Sequence, residues 1–534
     1  MEVDSKEGHQ RVFSSPLFVP RTRLDYAMAA GLLIVALFRL RYALTLDLLP
    51  DEAHYWLWAK HPALSYATKG PVVAWLIGLS TALLGDSVLA VRLPSIVLSV
   101  GTGWLFYRLG QRLFSSWIGV GATVVAAILP IFAVGSVLMT IDSPSVFLWL
   151  LAAAFFWEGL ENNALWPWVA SGLTVAFGFE AKFVNWFEPL SFALFLLCSR
   201  VYRSHLFSGR FLLLLGSAAL GLLPVLAWNR AHGGLTVAHL LHRGGLQERF
   251  TFQPNELEQF FLEQALALSP LVFLGLLWAV AIGLRNRSPA AASLFLAWLF
   301  LPVFLFYAVL SFHQAAKANW TVTGASAALL AAVAYWGEQA RRYSWARLLV
   351  GSALTLALIE TALLHGLGSD LLGRKDPLLR ARGWAEIARE AERQAEACHP
   401  NFWIANDYAV ASELSFYARR KEVFVPNFRR AGTQFAVWPG YPVASGRSAL
   451  YISSETEGTV PAELLREFPE AQCLAGTWRR WRDRRIEYFR FWLLRRPREN
   501  YRSKDSPGGG TTTFRPGFSS RSRSWNQASA GGSP

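Results

Sequence analysis

Two adjacent carboxylates, Asp51 and Glu52, begin the stretch DEAHYWLWAKHPALSYATKGP directly after a long apolar run. His54, Tyr55, Trp56, Leu57 and Trp58 follow at once, so Asp51 borders a partly desolvated surface. A carboxylate in such a setting takes up a proton more readily than usual and suits general-base work. Tyr55 and Trp58, with His54 and Glu52 beside them, form a surface on which a sugar ring or a prenyl chain packs. The plainer reading is that both acids only cap or solvate the loop. Asp142, in MTIDSPSVFLWL, is a second candidate acid at the mouth of an apolar run, although Asp ahead of Ser-Pro also suits a helix start. Four cations are placed to bind a phosphate at headgroup level: Lys69 before Gly70-Pro71, Lys182 in GFEAKFVNWF, and Arg243 and Arg249 in LLHRGGLQERF. Alternatively they snorkel to the interface, or Lys182 pairs with Glu180. In SFHQAAKANW, Asn319 and Trp320 offer an amide and a ring to a sugar, or Trp320 serves as an interface anchor. A divalent-metal site from Glu52, His54, His61 or His313 has no supporting ligand spacing, so no metal ligand is assigned. No GxxxxGKS phosphate loop is present, which argues against an ATP-driven pump but leaves a secondary transporter open.

These residues must be positioned by membrane helices. The chain has 534 residues, is 53% hydrophobic and only 16% charged, against about 25% charged in soluble proteins. Apolar runs fill 24–367, at about 24–46, 88–106, 117–137, 143–159, 165–180, 184–199, 211–228, 266–284, 290–310, 319–337 and 346–367. The expected class is a polytopic α-helical membrane protein of about 11–13 transmembrane helices. Residues 71–84 are short for a crossing and read as a juxtamembrane or re-entrant helix. The 23 tryptophans fit membrane interfaces. The net charge of +14 sits largely in short loops and the C-terminal region, so anionic lipid headgroups explain it better than nucleic acid. One alternate set of loops is about twice as basic as the other: the N-terminus, Arg108/Arg112, Arg200/Arg203/Arg210, Arg285/Arg287 and Arg341/Arg342/Arg347. That set is expected to be cytoplasmic, including the N-terminal segment 1–23. The other face then holds the opening loop 47–70, the turn around Asp142, the loop 229–265, SFHQAAKANW and the C-terminal region. No cleavable signal peptide is visible, and the first span reads as an uncleaved signal-anchor. Residues 368–502 mix a helical pattern at 384–397 with strand-like NFWIAN, EVFVPN and SALYISS, so a small extracytoplasmic α/β domain is expected. The Gly/Ser/Thr/Arg-rich tail 503–534 cannot bury a core and reads as disordered. Cys198 reads as an inert core residue, and Cys398 and Cys473 as a disulfide only if that region is outside the cytoplasm.

The pieces PDEAHYWLWAKHPALSY…KGPVVAWLIGLSTALLGDSVLAVRLPS, TIDSPSVFLWLL, GLTVAFGFEAKFVNW and AKANWTVTGASAALL carry a family likeness, joined by NDYAVASELSFYARRKEVFVPN…QFAVWPGY. Over about 24–490 the chain resembles the bacterial dolichyl-phosphate-mannose-protein mannosyltransferase superfamily, related to the lipid A aminoarabinose transferases. The resemblance implies a GT-C fold in the bacterial inner membrane and an inverting sugar transfer from a polyprenyl-phosphate donor to a lipid, envelope glycan or protein. It implies Asp51 as catalytic base, Asp142 as the second acidic position, and lysine and arginine stabilising the leaving phosphate. Lys69 matches the lysine of a Lys-Pro-Pro motif that reads Lys-Gly-Pro here, a departure expected to loosen the backbone. Thr68 stands where some relatives carry a metal-binding glutamate. Membrane lipids are the remaining expected partners. A secondary transporter or lipid-linked-sugar flippase is the alternative, and a membrane scaffold a third reading that leaves the acidic-aromatic loop unexplained.

Overall fold

The computed structural model describes residues 17, 19–162, 164–245, 249, 251–285, 291–367, 373, 376–419, 423–430, 432–454 and 459–497. The tail at 503–534 and most of segment 1–23 lie outside the described residues. Everything described falls within one compact unit, Met1–Pro497.

Helix α1 (Arg23–Ala43) starts at a reciprocal cap: Thr22 Oγ1 accepts from the Asp25 N–H, and the Asp25 carboxylate accepts from the Thr22 N–H. The short α2 (Pro50–Lys60) and α3 (Val72–Leu84) follow. Then come α4 (Val88–Leu113), α5 (Ser116–Ile128), α6 (Pro130–Gly135), α7 (Asp142–Glu161), α8 (Trp166–Ala181) and α9 (Phe187–Cys198). The bundle closes with α10 (Gly209–Ala219), α11 (Leu222–Ala231), α12 (Leu235–Arg243), α13 (Pro254–Leu268), α14 (Pro270–Arg285), α15 (Ala291–Leu310), α16 (Val322–Arg342) and α17 (Ser344–Ala362). Among the described residues, 6 helical segments are long and apolar enough to cross a membrane, or up to 7 if the bent pair α13–α14 is one span. The chain is a multi-pass helical membrane protein. Several expected spans are interrupted: 117–137 is split where Pro130 opens α6, and 211–228 breaks at Gly221, which lies against the backbone of Ala176. The chain turns by 104° between α13 and α14, with Ser269 at φ 65.

Two expected loops are helical. The opening loop contains α2, in which every residue from Glu52 to Trp58 is buried. Burial on all sides leaves no amphipathic period to read. The loop 229–265 contains α12 and most of α13.

Beyond α17 the chain forms α18 (Trp384–Cys398), α19 (Tyr408–Tyr417) and α20 (Ala462–Glu467) around a five-stranded sheet. The strands are β1 (Phe402–Ala405), β2 (Val423–Phe424), β3 (Ser448–Ser453), β4 (Glu470–Trp481) and β5 (Arg484–Arg495), in the order β2-β1-β3-β5-β4. β1 runs parallel to β2 and β3, while β5 is antiparallel to both β3 and β4. The first three strands coincide with the apolar runs read in the sequence. The β4–β5 hairpin does not, because arginines occupy much of it; its inward positions Phe489, Phe491 and Leu493 are nevertheless apolar and alternate. Cys398 and Cys473 are both free thiols.

This α/β layer docks on the first loop. The Leu48 N–H donates to the Tyr417 hydroxyl at 2.8 Å, the Ala67 N–H to Gln434 Oε1 at 2.8 Å, and the Trp384 N–H to Asp47 Oδ2 at 3.0 Å. The first loop and the C-terminal layer therefore share one face of the molecule.

Candidate active site

The site is assembled around the N-terminus of α2. Pro50 occupies the first turn, where a missing N–H costs nothing, and Glu52 accepts from the Leu49 N–H at 2.9 Å. Glu52 is fully enclosed. Arg92 of α4 grips it with Nε–Oε1 at 2.9 Å and Nη2–Oε2 at 2.6 Å, and the Met139 N–H donates to Oε1 at 2.8 Å. Arg92 also donates to the carbonyls of Ala43, Leu46 and Asp47. The expected substrate contact at Glu52 is thus corrected, since its carboxylate has no face left for a ligand. It instead joins α2, the end of α1 and the turn that carries Asp142.

Asp51, one residue away, points elsewhere. It is partly exposed, and among the described residues it holds no hydrogen-bond or ion-pair partner. Lys69 likewise holds no salt bridge among the described residues. Burial lowers its pKa, the charges of Arg243 and Lys182 push the same way, and Asp51 and Asp142 pull it back up. Lys69 is therefore within electrostatic reach of both acids and both cations. The Gly70 after it is not loose: a Cβ there would sit 2.1 Å from the Glu180 carbonyl oxygen. Close backbone approach to α8 fixes the Lys-Gly-Pro segment and corrects the expectation of a looser backbone.

Asp142 opens α7 but does not cap it with its side chain. Its Oδ1 takes the Lys182 ammonium at 2.8 Å and its Oδ2 the Asn319 amide at 2.8 Å, while Lys182 also donates to the Asn319 carbonyl at 2.7 Å. Lys182 is buried. Its charge is spent inside the protein, which corrects its expected place among free phosphate-binding cations. Glu180 is not its partner; it is buried and forms no salt bridge among the described residues.

Helix α12 brings in Arg243. The helix is pinned to the first loop by the Thr236 hydroxyl, 3.3 Å from the Tyr66 carbonyl. Arg243 lies over the Trp320 ring, 4.9 Å from its centroid, which joins two expected site residues in a cation–π contact. On the same helix, burial pushes His239 down to about 4, and the charges of Lys69 and Arg243 add to the effect. Arg249 is exposed and does not figure in the fields felt by Lys69 or Tyr55. Its neighbours 246–248 and 250 lie outside the described residues.

The aromatic residues divide. Tyr55 is enclosed and its pKa is raised well above its ordinary value, first by burial and then by Asp51 and Asp142. His54 and Trp58 are structural, a correction to their expected substrate contact: the Trp58 indole donates to His54 Nε2 at 3.0 Å, and His54 Nδ1 meets Ser412 Oγ at 2.9 Å. Trp58 also stacks on Tyr66. Burial, with Lys69 nearby, holds His54 at about 3 and hence neutral. Tyr408 of α19 was not among the expected site residues. Asp51 helps raise its pKa after burial, and its ring lies 5.1 Å from His54. The segment NDYAVASELSFYARR gave no distance information that could have placed it there. Among the described residues no group of three His, Cys, Asp or Glu side chains is placed to hold a metal.

The arrangement is thus a carboxylate with an open coordination sphere, two unpaired cations and a second, neutralised carboxylate at the rim of a membrane bundle. Such a set can take a proton from a hydroxyl and hold a phosphate. Known proteins of similar sequence or fold are sugar transferases. Residues 60–228 match the family model described as dolichyl-phosphate-mannose-protein mannosyltransferase. The chain is 28% identical over 405 residues to the lipid A galacturonosyltransferase RgtD of Rhizobium johnstonii, covering 73% of this chain and 83% of that protein. It is 27% identical over 291 residues to an undecaprenyl phosphate-alpha-4-amino-4-deoxy-L-arabinose arabinosyl transferase of Pseudomonas aeruginosa, covering 48% and 50%. The crystal structure of ArnT from Cupriavidus metallidurans bound to undecaprenyl phosphate superposes with a TM-score of 0.59 over 88% of this chain and 97% of that one, at 16% identity.

Proposed function

We propose a donor, an acceptor class and a base for this chain, which is a glycosyltransferase of the GT-C fold. It moves a sugar from a polyprenyl-phosphate carrier to a lipid acceptor, with inversion at the anomeric carbon. Asp51 takes the proton of the acceptor hydroxyl as its oxygen attacks that carbon. The bond from carbon to phosphate oxygen breaks, and the polyprenyl phosphate leaves with the electron pair. Lys69 and Arg243 meet the charge that grows on the phosphate, where fixed cations in a poorly hydrated site act most strongly. Asp142, held by Lys182 and Asn319, shapes the opposite wall, and Trp320 is the platform for Arg243. The observation that carries the reading is that Asp51 is partly exposed and unpartnered among the described residues, within electrostatic reach of Lys69, which itself holds no salt bridge there. The loop charge asymmetry supports placing this face on the outer side of the cytoplasmic membrane, where a lipid-linked donor needs no nucleotide.

The test is Asp51→Asn in membranes supplied with an undecaprenyl-phosphate sugar. Transfer is expected to fall by about two to four orders of magnitude, the usual contribution of a positioned base, with expression unchanged. Transfer at the wild-type rate removes Asp51 as base. Substrate movement across the membrane without transfer favours a transporter.

A further inference from the structure

The turn of the β4–β5 hairpin is held where two apolar spans end. Both α1 and the span Ser344–Gly366 are long and apolar enough to cross a membrane. Thr45, just beyond α1, offers its carbonyl to Arg382 at 2.7 Å, and the same guanidinium lies 3.8 Å from the centroid of the Trp481 ring in the hairpin. Arg484 donates to the carbonyl of Gly373, on the stretch that leaves the second span, at 3.3 Å. Arg479 donates to the carbonyls of Leu379 and Arg382 at 2.9 and 2.7 Å. The charges at this end are not those that folding favours. Arg480 and Arg485 are directly opposite one another in the strand pair, where like charges repel. Arg482 opens the two-residue turn at φ 51, a left-handed position better suited to Gly or Asn. All three arginines are exposed and none holds a carboxylate partner among the described residues, although Asp483 shares the turn. Protection of an outer strand does not account for them, because the other end of β4, the exposed run 470–473, carries no cation. Arg485 lies 5.5 Å from the centroid of the Trp478 ring and Arg482 lies 5.7 Å from that of Trp481. Half-buried tryptophans beside arginines are the pairing that suits headgroup level, since the ring tolerates the interface and the guanidinium fork matches a phosphate.

We propose that the turn of the β4–β5 hairpin docks on anionic phospholipid headgroups of the bilayer. Arg480, Arg482 and Arg485 meet the phosphates, and Trp478 and Trp481 sit at headgroup level. The lipid is a component of the surrounding membrane, neither donor nor acceptor. Its phosphates relieve the repulsion between Arg480 and Arg485 and hold the α/β layer down over the first loop. The assignment does not draw on the transfer reading, so the two stand or fall separately.

Full-length protein carrying photoreactive p-benzoylphenylalanine in place of Asp483 would be placed in nanodiscs made of equal parts phosphatidylglycerol and phosphatidylcholine. Irradiation followed by mass spectrometry reads which lipid is attached to the turn. Adducts of phosphatidylglycerol are expected to outnumber those of phosphatidylcholine. Combining Arg480→Gln, Arg482→Gln and Arg485→Gln is expected to lower that ratio by about fivefold or more, the weight of at least one arginine at an anionic surface. The combined variant should melt no lower than the wild type in detergent, because the repelling pair is gone. High salt on the unaltered arginines should erase the same preference, a readout that needs no folded variant. Equal yields from the two lipids, or a preference that survives both salt and the combined substitutions, overturn the anionic site. Adducts to protein alone, with no lipid attached, place the turn away from the bilayer and overturn the docking.

Discussion

Lys69 and Arg243 are both cations without a carboxylate partner among the described residues, yet burial makes them unequal. Lys69 is largely desolvated and feels both acids, whereas Arg243 is exposed and leans on Trp320. On the proposed mechanism Lys69→Met should lower kcat/KM by about a hundredfold or more, the range seen when one fixed donor to a developing charge is removed. Arg243→Lys keeps the charge and loses the planar stack, which is worth about 0.5–1 kcal/mol at an exposed site, so it should cost only a few-fold. Steady-state kinetics with varied donor separates the two, and equal losses would sink the distinction. The sequence exposed the residue types here and not their pairings. Glu180 lies in the last turn of α8 and Lys182 is the extended residue just past its end, so the neighbour in sequence is the wrong partner. The right one, Asp142, lies forty positions away and is reached only through the packing of α7 on α8.

At the scale of elements, α2 is positioned by a buried charge pair. Glu52 and Arg92 are both fully enclosed and bond to one another across two helices. Removing one partner of such a pair leaves an uncompensated buried charge and costs about 3–5 kcal/mol. Arg92→Met should therefore destabilise the protein by that order, and Glu52→Gln similarly, with a double-mutant cycle reporting strong coupling. Both are enclosed, whereas Asp51 is partly exposed. Glu52→Gln should then depress transfer while the surviving activity keeps the wild-type pH profile, unlike Asp51→Glu, which changes the proposed base itself. A wild-type melting temperature in Arg92→Met would refute the staple. Most spans of the bundle could be read from apolar runs, because a bilayer demands long apolar helices. Helix α2 could not, for it is buried on every side by the layer above it, and no sequence period marks that condition.

The whole molecule is held together where the α/β layer rests on α2, and Glu413 of α19 is the weak point of that contact. It is 1% exposed, and among the described residues neither carboxylate oxygen has a hydrogen bond. Burial raises its pKa well above the ordinary 4.5; Asp47 and Glu52 push the same way, and Arg479 and Arg92 oppose them. The first three sheet strands were legible as apolar runs and the arginine-rich β4–β5 hairpin was not; nor was the docking of this layer on the first loop, since it depends on single bonds such as Tyr417 to Leu48 between residues hundreds of positions apart. The pH consequence follows from linkage. A folded pKa above the unfolded one means that the native state holds its proton more tightly. The stability this gives is complete below about 4.5 and is lost as pH rises through the folded pKa. Glu413→Gln removes the titration. Its melting temperature relative to the wild type should therefore rise as the pH is raised above about 4.5. The slope is the readout, because the amide's own fit shifts both ends equally. Parallel curves for the two proteins across that range would mean that Glu413 is not held protonated at the contact.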